Sequence, residues 1–384
     1  MSPLSSSARK RVALLVSTKF APGRDRLRGI AQFAHEVDTW RLINVPGGDT
    51  DPIQDWLLEI EFDGVIGHIN DHAIAEVIKA RGIPVVDDRI EFHDADSPHV
   101  DIDNEAVAAL AAEHFFDRGF HHVAFYPFEN NREAWSQNRG EALRKLCSGR
   151  ASFHLYKGPM DQRQGTPATR RHVRAWLRQL PKPVAIMLAR DDRGLVVLDA
   201  CREEGLLVPE QVAVLGVDND QPLCDLTFPP LSSVRMGHRE LGYESARMLD
   251  TLMDGDDPPD GVKLFPPLGI ATRRSSETRA IDDEAVALGV HLIHENLASD
   301  FTNDSLARSA NISRSLFQQR FRKAMGKTIR DYITDLRLER AKDLIVETDR
   351  SLSEIAWAVG FKRHEYMGHV FTNRLAITPG SLRK

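Results

Sequence analysis

The chain has 384 residues, 42% of them hydrophobic and 28% charged, with a formal net charge of −6, which implies two to three soluble domains and excludes a disordered or fibrous chain. The average hides an asymmetry, because residues 305–384 carry 16 Lys and Arg against 8 Asp and Glu, so a small basic module follows a large acidic one. Three cysteines without metal-ligand spacing fit a reducing cytoplasm, no apolar run approaches the roughly 18 residues of a membrane helix, and the first, Val12 to Val16, is too short for a signal-peptide core.

In chain order, about ten polar residues (1–10) read as a disordered start. Short β-rich runs follow at 11–17, 41–45, 64–69, 83–87, 122–126, 152–156, 184–188 and 212–217. Between them lie stretches with apolar spacing of three and four, such as Leu27, Ile30, Ala31 and Ala34, or Val107, Leu110, Ala111, His114 and Phe115. This alternation predicts parallel sheets covered on both faces. Eight or nine such units exceed one ordinary doubly wound sheet, so two lobes are expected over 11–273, with a break near 101–104.

In open parallel sheets, ligands bind beyond the carboxyl ends of the strands. The residues there are Asp103, Tyr126, Asp191, Asp218 and Asn219, with Trp135 and Arg139 before or within the next helices. Carboxylates and a guanidinium satisfy paired hydroxyls, and an indole covers a C–H face, so a neutral polyol is a sensible ligand. Arg24 and Asp25, after the first strand, either line the same cleft or sit in a solvated loop. Asp103 either caps the next helix or touches ligand. Arg139 is a ligand or a surface ion pair, and Trp135 a stacking platform or a lobe-interface core residue.

Asp103-Asn-Glu, Gly119-Phe-His-His-Val-Ala-Phe, Arg139, Asp191 and Gly216-Val-Asp-Asn219 resemble the effector domain of LacI-type regulators. So do Leu231-Ser-Ser-Val and Met236-Gly-His-Arg-Glu-Leu-Gly242, about 260 residues in all. The resemblance implies a two-lobed fold shared with periplasmic sugar-binding proteins. It also implies sugar contacts at Asp103, Arg139, Asp191 and Asp218, and side-by-side pairing into a homodimer.

Residues 274–284 are polar and aperiodic and read as a linker. Helical period then resumes without strands over 285–384, at Val286, Leu288, Val290, Ile293 and Leu297. A near-repeat follows, its copies at 305–321 and 353–371, each an apolar helix, a tight turn at Asn311 or Gly360 and a second helix with polar residues outward. That is a helix-turn-helix; Asn and Gly tolerate the positive φ the turn needs, and Ser313 is placed to cap the first recognition helix. The 20 residues at 328–347 lack Gly and Pro and span roughly 30 Å as a helix, against roughly 34 Å per turn of DNA. A rod of that length places two recognition helices in successive major grooves.

Leu306-Ala, Ala310, Ile312-Ser313, Phe321, Gly326, Tyr332-Ile333, Arg337-Leu338, Ala341, Ile355-Ala356, Val359-Gly-Phe361, Phe371 and Thr378-Pro379 resemble the AraC-type DNA-binding domain. By motif position, the resemblance implies that Arg314, Ser315, Gln318 and Gln319 face bases from the first recognition helix, and Arg363, His364, Glu365 and His369 from the second. Arg suits guanine and Gln adenine in bidentate geometry. Arg320, Arg322, Lys323, Lys327 and Lys362 suit phosphates. A sensor and reader in this order resemble regulators of xylose operons. That implies D-xylose as effector, activation of xylose-catabolism genes, double-stranded operator DNA as partner and RNA polymerase as a candidate contact.

The chain shows no phosphate loop, zinc-protease motif or nucleophile elbow, so no enzyme, cofactor or metal is expected. His121-His122 and Asp87-Asp88-Arg89 read as turn or core residues. Two alternatives stay open: the same architecture responding to another sugar, and a carbohydrate-binding protein whose helical tail takes a protein partner.

Overall fold

The computed structural model describes residues 9–45, 60–67, 72–86, 99–128, 133–159, 165–257 and 262–383. The disordered start expected over 1–10 lies outside them except for Arg9 and Lys10, and Lys10 already opens the first strand. Asp87-Asp88-Arg89, and the ends of the strands expected at 64–69 and 83–87, also lie outside the described residues.

The first lobe is a parallel sheet of β1 (Lys10–Leu15), β2 (Trp40–Asn44), β3 (Gly64–Gly67) and β4 (Val85–Val86), in the order β2-β1-β3-β4. Helices α1 (Ala21–Val37) and α2 (His72–Ala80) connect its strands. A short parallel pair follows, β5 (His99–Ile102) with β11 (Val262–Phe265).

The second lobe comprises α3 (Asn104–Asp117), β6 (His122–Tyr126), α4 (Ala134–Cys147), β7 (Ser152–Leu155), α5 (Pro167–Gln179), β8 (Val184–Leu188), α6 (Gly194–Glu203), β9 (Val212–Val217), α7 (Gln221–Leu226), β10 (Ser232–Met236) and β12 (Pro267–Ala271). Its six strands run β12-β10-β9-β8-β6-β7, all parallel except β12 on the edge. Every residue of β8 and β9 is buried, as expected of continuous apolar runs at the centre of a parallel sheet.

The chain crosses between the lobes three times: from β5 into α3, from β10 into α8 (His238–Met253), and from β11 into β12. Helix α8 returns to the first lobe and packs on α1 at close range. A Cβ on Gly29 would stand 1.9 Å from the Arg239 carbonyl oxygen, and one on Gly242 would stand 2.2 Å from that of Arg26. Only glycine permits that crossing.

The basic module is helical throughout: α9 (Glu284–Glu295), α10 (Asn303–Ser309), α11 (Arg314–Met325), α12 (Ile329–Glu347), α13 (Leu352–Val359) and α14 (His364–Leu375). Two cores lie along it. Phe317, Phe321, Ile293 and Leu306 form the first with Ile329, Tyr332 and Leu336 of α12. Ile355, Met367 and Phe371 form the second with Leu338, Ala341 and Ile345 of α12. The rod thus supplies its first half to one helix-turn-helix and its second half to the other, and its 19 residues span about 28 Å. The turns carry the positive φ expected, 54° at Asn311 and 94° at Gly360. The Ser313 hydroxyl caps α11 by accepting from the Leu316 amide.

The connecting segment is not a free tether. Ser275 and Ser276 are fully buried. The Ser275 hydroxyl donates to the Val214 carbonyl and accepts from the Ser232 amide, while His114 Nε2 lies 2.9 Å from the Ser276 hydroxyl. Polar side chains satisfied pairwise replace apolar ones here, so the segment looks like an exposed linker in sequence and is a docked strap in space. No helix among the described residues is long and apolar enough to cross a membrane.

Candidate functional site

The carboxyl ends of β8 and β9 face α1 of the first lobe, and charged groups converge there. Arg139, on α4, is 5% exposed. Its guanidinium donates to Asn104 Oδ1 at 2.8 and 3.1 Å and to the Ala189 carbonyl, and lies 5.1 Å from the Trp135 ring. Burial pushes it down to about 10, against the upward pull of Asp218 and Asp101, and it stays protonated at neutral pH. Trp135 is half-buried and packs on Phe128 at 5.3 Å between ring centroids. The indole is thus packed between Phe128 and the arginine.

Asp218 sits at φ 101° and Asn219 at φ 52°, a strained turn of the kind found at binding sites. The Asp218 side chain is 9% exposed and its Oδ1 lies 3.0 Å from His238 Nε2, at the start of α8. Burial alone would raise this carboxyl; the hydrogen bond to His238 and the charges of Arg139 and Arg190 hold it below its ordinary value. His238 Nδ1 is buried without a partner.

Asp191 differs from the expectation of a free ligand group. It is 2% exposed; Oδ1 accepts from the Ser233 hydroxyl at 2.6 Å, and Oδ2 accepts from the Asp220 amide at 2.8 Å. A Cβ on Gly216 would stand 2.1 Å from Oδ1. Asp191 therefore braces the β9 turn from beneath, and burial, then the charge of Asp218, push its carboxyl well up. Asp103 caps α3, accepting from the Ala106 amide at 2.8 Å, and is half-buried.

The lobes touch at this point. Asp220, 3% exposed, accepts from the Ala21 amide at 2.8 Å and pairs with Arg24 at 3.1 Å. Asp25 pairs with Arg28 one turn along its own helix instead. Arg190, which the sequence reading passed over, reaches across as well. Its guanidinium carbon lies 4.0 Å from the Phe20 ring of the first lobe and 4.5 Å from the Phe128 ring of the second. It also pairs with Asp192 at 2.9 Å. Its signal was positional: Arg190 follows directly on the buried run that ends at Ala189.

At the other end of the chain, Arg314, Ser315, Gln318, Gln319, Arg322, Lys323, Lys362, Arg363, His364 and His369 are all exposed. Arg314 pairs with Asp304 at 3.3 Å, Lys362 with Asp300 at 3.0 Å, and His369 with Asn373 at 3.0 Å. Arg374 of α14 pairs with Asp331 and Asp335 of the rod, and Asp335 also holds Lys327. Those contacts tie the second recognition helix to the rod.

Residues 112–276 match the periplasmic binding protein-like domain, and residues 306–384 match a helix-turn-helix domain. The chain is 28% identical to the xylose operon regulatory protein of Haemophilus influenzae, over 97% of this chain and 98% of that one. It is 29% identical to the protein of the same name from Escherichia coli K12, over 98% and 97%. A solved xylose-binding transcription activator superposes with a TM-score of 0.80 at 27% identity, covering 98% of both chains. A LacI family regulator from Enterococcus faecium with bound ribose matches 70% of this chain with a TM-score of 0.57 at 19% identity, a likeness of fold. The chain is a two-part protein of the kind that regulates transcription: a periplasmic-binding-protein-like domain ahead of a helix-turn-helix domain, similar along its whole length to the xylose operon regulatory proteins.

Proposed function

We propose that this chain is a sugar-responsive DNA-binding regulator that takes D-xylose between its lobes and activates genes of xylose catabolism. The observation that carries this reading is the convergence of Arg139, Arg190, Asp218 and the Arg24–Asp220 pair with Phe20, Phe128 and Trp135 at the strand ends. These are donors, acceptors and ring faces suited to a small polyol. Asp103, Arg139 and Asp218 contact the hydroxyls, Arg190 takes the contact expected of Asp191, and the sugar leaves chemically unchanged. The protein works in the cytoplasm as a homodimer. Leu195, Leu226 and Phe228, on or beside α6 and α7, expose 37, 67 and 60% of their surface and supply an apolar face for pairing. The DNA partner is a double-stranded operator read by the two recognition helices.

Calorimetry with D-xylose, L-arabinose, D-ribose and D-glucose tests the effector. Heat from D-xylose alone supports it, and heat from another sugar alone reassigns it. A mobility shift on the DNA upstream of its own gene, repeated across salt concentrations, tests the reader. Binding without a steep fall in salt counts against phosphate contacts and favours a protein partner for the helical domain.

A further inference from the structure

Two consecutive arginines at the head of the strap bond to residues beyond opposite ends of β9. Arg273 points into the second lobe: Nη2 donates to Asn219 Oδ1 at 2.9 Å and to Gln221 Oε1 at 3.1 Å, and Nη1 donates to the Leu231 carbonyl at 2.9 Å. Asn219 and Gln221 flank Asp220, the carboxylate on which the first lobe rests through Ala21 and Arg24. Arg274 bonds to the segment that leads into β9. It donates to Glu210, which is fully buried, and to the Thr278 hydroxyl at 3.1 Å. The second oxygen of Glu210 lies 3.2 Å from His291 Nδ1 on α9. Arg274 also pairs with Glu277 at 3.4 Å, Glu277 with His294 at 3.4 Å, and His294 Nε2 lies 2.9 Å from the hydroxyl of Tyr332 on the rod.

We propose that Arg273 and Arg274 form a relay that carries the state of the lobe contact into the helical domain, acting as positioning residues for the effector response. This rests on the sugar-responsive reading above. Any movement of the first lobe that draws on Asp220 draws on the Asn219–Gln221 turn, and Arg273 holds that turn from both sides. Arg274 is joined to it by one peptide bond, and Ser275 and Ser276 are buried and bonded to β9, β10 and α3. Displacement at the turn cannot be absorbed by slack at the strap and reaches α9 and α12. A rearrangement of paired sensors alone, with each reader riding passively on its own sensor, needs no such path.

The test uses the full-length chain, D-xylose and the upstream DNA fragment. Arg273→Met removes no partner of a buried charge, and the double variant Glu210→Gln with Arg274→Met removes both members of the buried pair together. In the parent, D-xylose changes DNA affinity by about tenfold or more; in either variant the change falls below about twofold, while affinity for the sugar and for sugar-free DNA stays within about threefold. Arg273→Lys restores part of the response, because an ammonium reaches one of the two side-chain acceptors. A second readout is amide hydrogen exchange along α9: D-xylose alters it in the parent and leaves it unchanged in Arg273→Met. Variants that bind sugar and DNA and still respond fully overturn the relay and leave the sugar reading standing. A parent that takes up none of the four sugars overturns the sugar reading, and the relay falls with it.

Discussion

The cleft and the reading face are both rich in charge, and they use it oppositely. In the cleft, Arg139, Asp191 and Asp220 are 5, 2 and 3% exposed and bond to Asn104, Ser233, Arg24 or the backbone. On the reading face, Gln318, Gln319, Arg322 and Lys323 are exposed and wait for an external partner. A buried polar group is costly once its partner is gone, so the cleft cannot be altered without touching the fold. A solvated one is nearly free to replace. The two regions should therefore separate cleanly in experiment: cleft variants lose stability and response together, and reading-face variants lose DNA recognition alone.

The largest break in that contrast comes from Arg139→Met. It strips the Asn104 and Ala189 carbonyls of their donor and takes a positive charge away from Asp218. Leaving a buried acceptor without its donor costs about 1–3 kcal/mol, and here two are left. Urea denaturation should show the loss, and calorimetry should show no heat with D-xylose. Stability equal to the parent would place Arg139 outside the cleft's framework.

Next in size is an acid effect centred on the strap. Burial, with the charge of Arg118, pushes His114 down from 6.5 to about 4, and burial pushes His294 down to about 3. Both folded values are depressed, so the neutral rings contribute stability above 6.5, and that stability is lost as pH falls from 6.5 toward those values. For His114 the full loss is about 3 kcal/mol. His114→Gln keeps a group able to bond Ser276 and removes the titration. Its denaturation midpoint should fall less than the parent's between pH 6.5 and 4. An unchanged acid slope would move the pH sensitivity away from the strap.

The same contrast explains what could be read from the sequence. The central strands β8 and β9 were legible because both faces are buried and the runs are continuously apolar. The double helix-turn-helix was legible because its turns demand residues such as Asn311 and Gly360, and its apolar positions repeat. Strands β10 and β12 were not read as strands. Ser232 and Ser233 spend their hydroxyls on Arg273 and Asp191, and Pro267 and Gly269 lie in an edge strand, so neither run shows period-two hydrophobicity. The strap reads as a linker in sequence for the same reason: hydrogen bonds satisfy its buried Ser275 and Ser276. His238 escaped notice because its partner Asp218 lies 20 residues earlier, on another element. Asp191 reads as a ligand in sequence because it is an acid at a strand end. Both its oxygens are taken by groups 29 and 42 residues away in sequence, the Asp220 amide and the Ser233 hydroxyl.

On the reading face the effects are smaller and more selective. Gln318→Ala should cost about 1–3 kcal/mol at one base pair of the operator and leave the denaturation midpoint within about 0.5 kcal/mol of the parent. Binding to an operator series substituted position by position would show the loss confined to one column. A uniform loss would turn Gln318 into a backbone contact.

The smallest effect sharpens the comparison furthest. Lys323, in the last turn of α11, is exposed, and its side chain is a point charge without the planar geometry that reads a base edge. If it neutralises one phosphate, Lys323→Ala lowers the slope of log affinity against log salt by about 1 and weakens all sequences alike. The variant would then match the parent at high salt and differ most at low salt, with folding untouched. The cleft offers no counterpart to this behaviour, since its charges are shielded from the ions that screen Lys323. A cleft variant whose sugar affinity followed salt as steeply would mean that the lobes stand open to solvent where the Arg24–Asp220 contact now closes them.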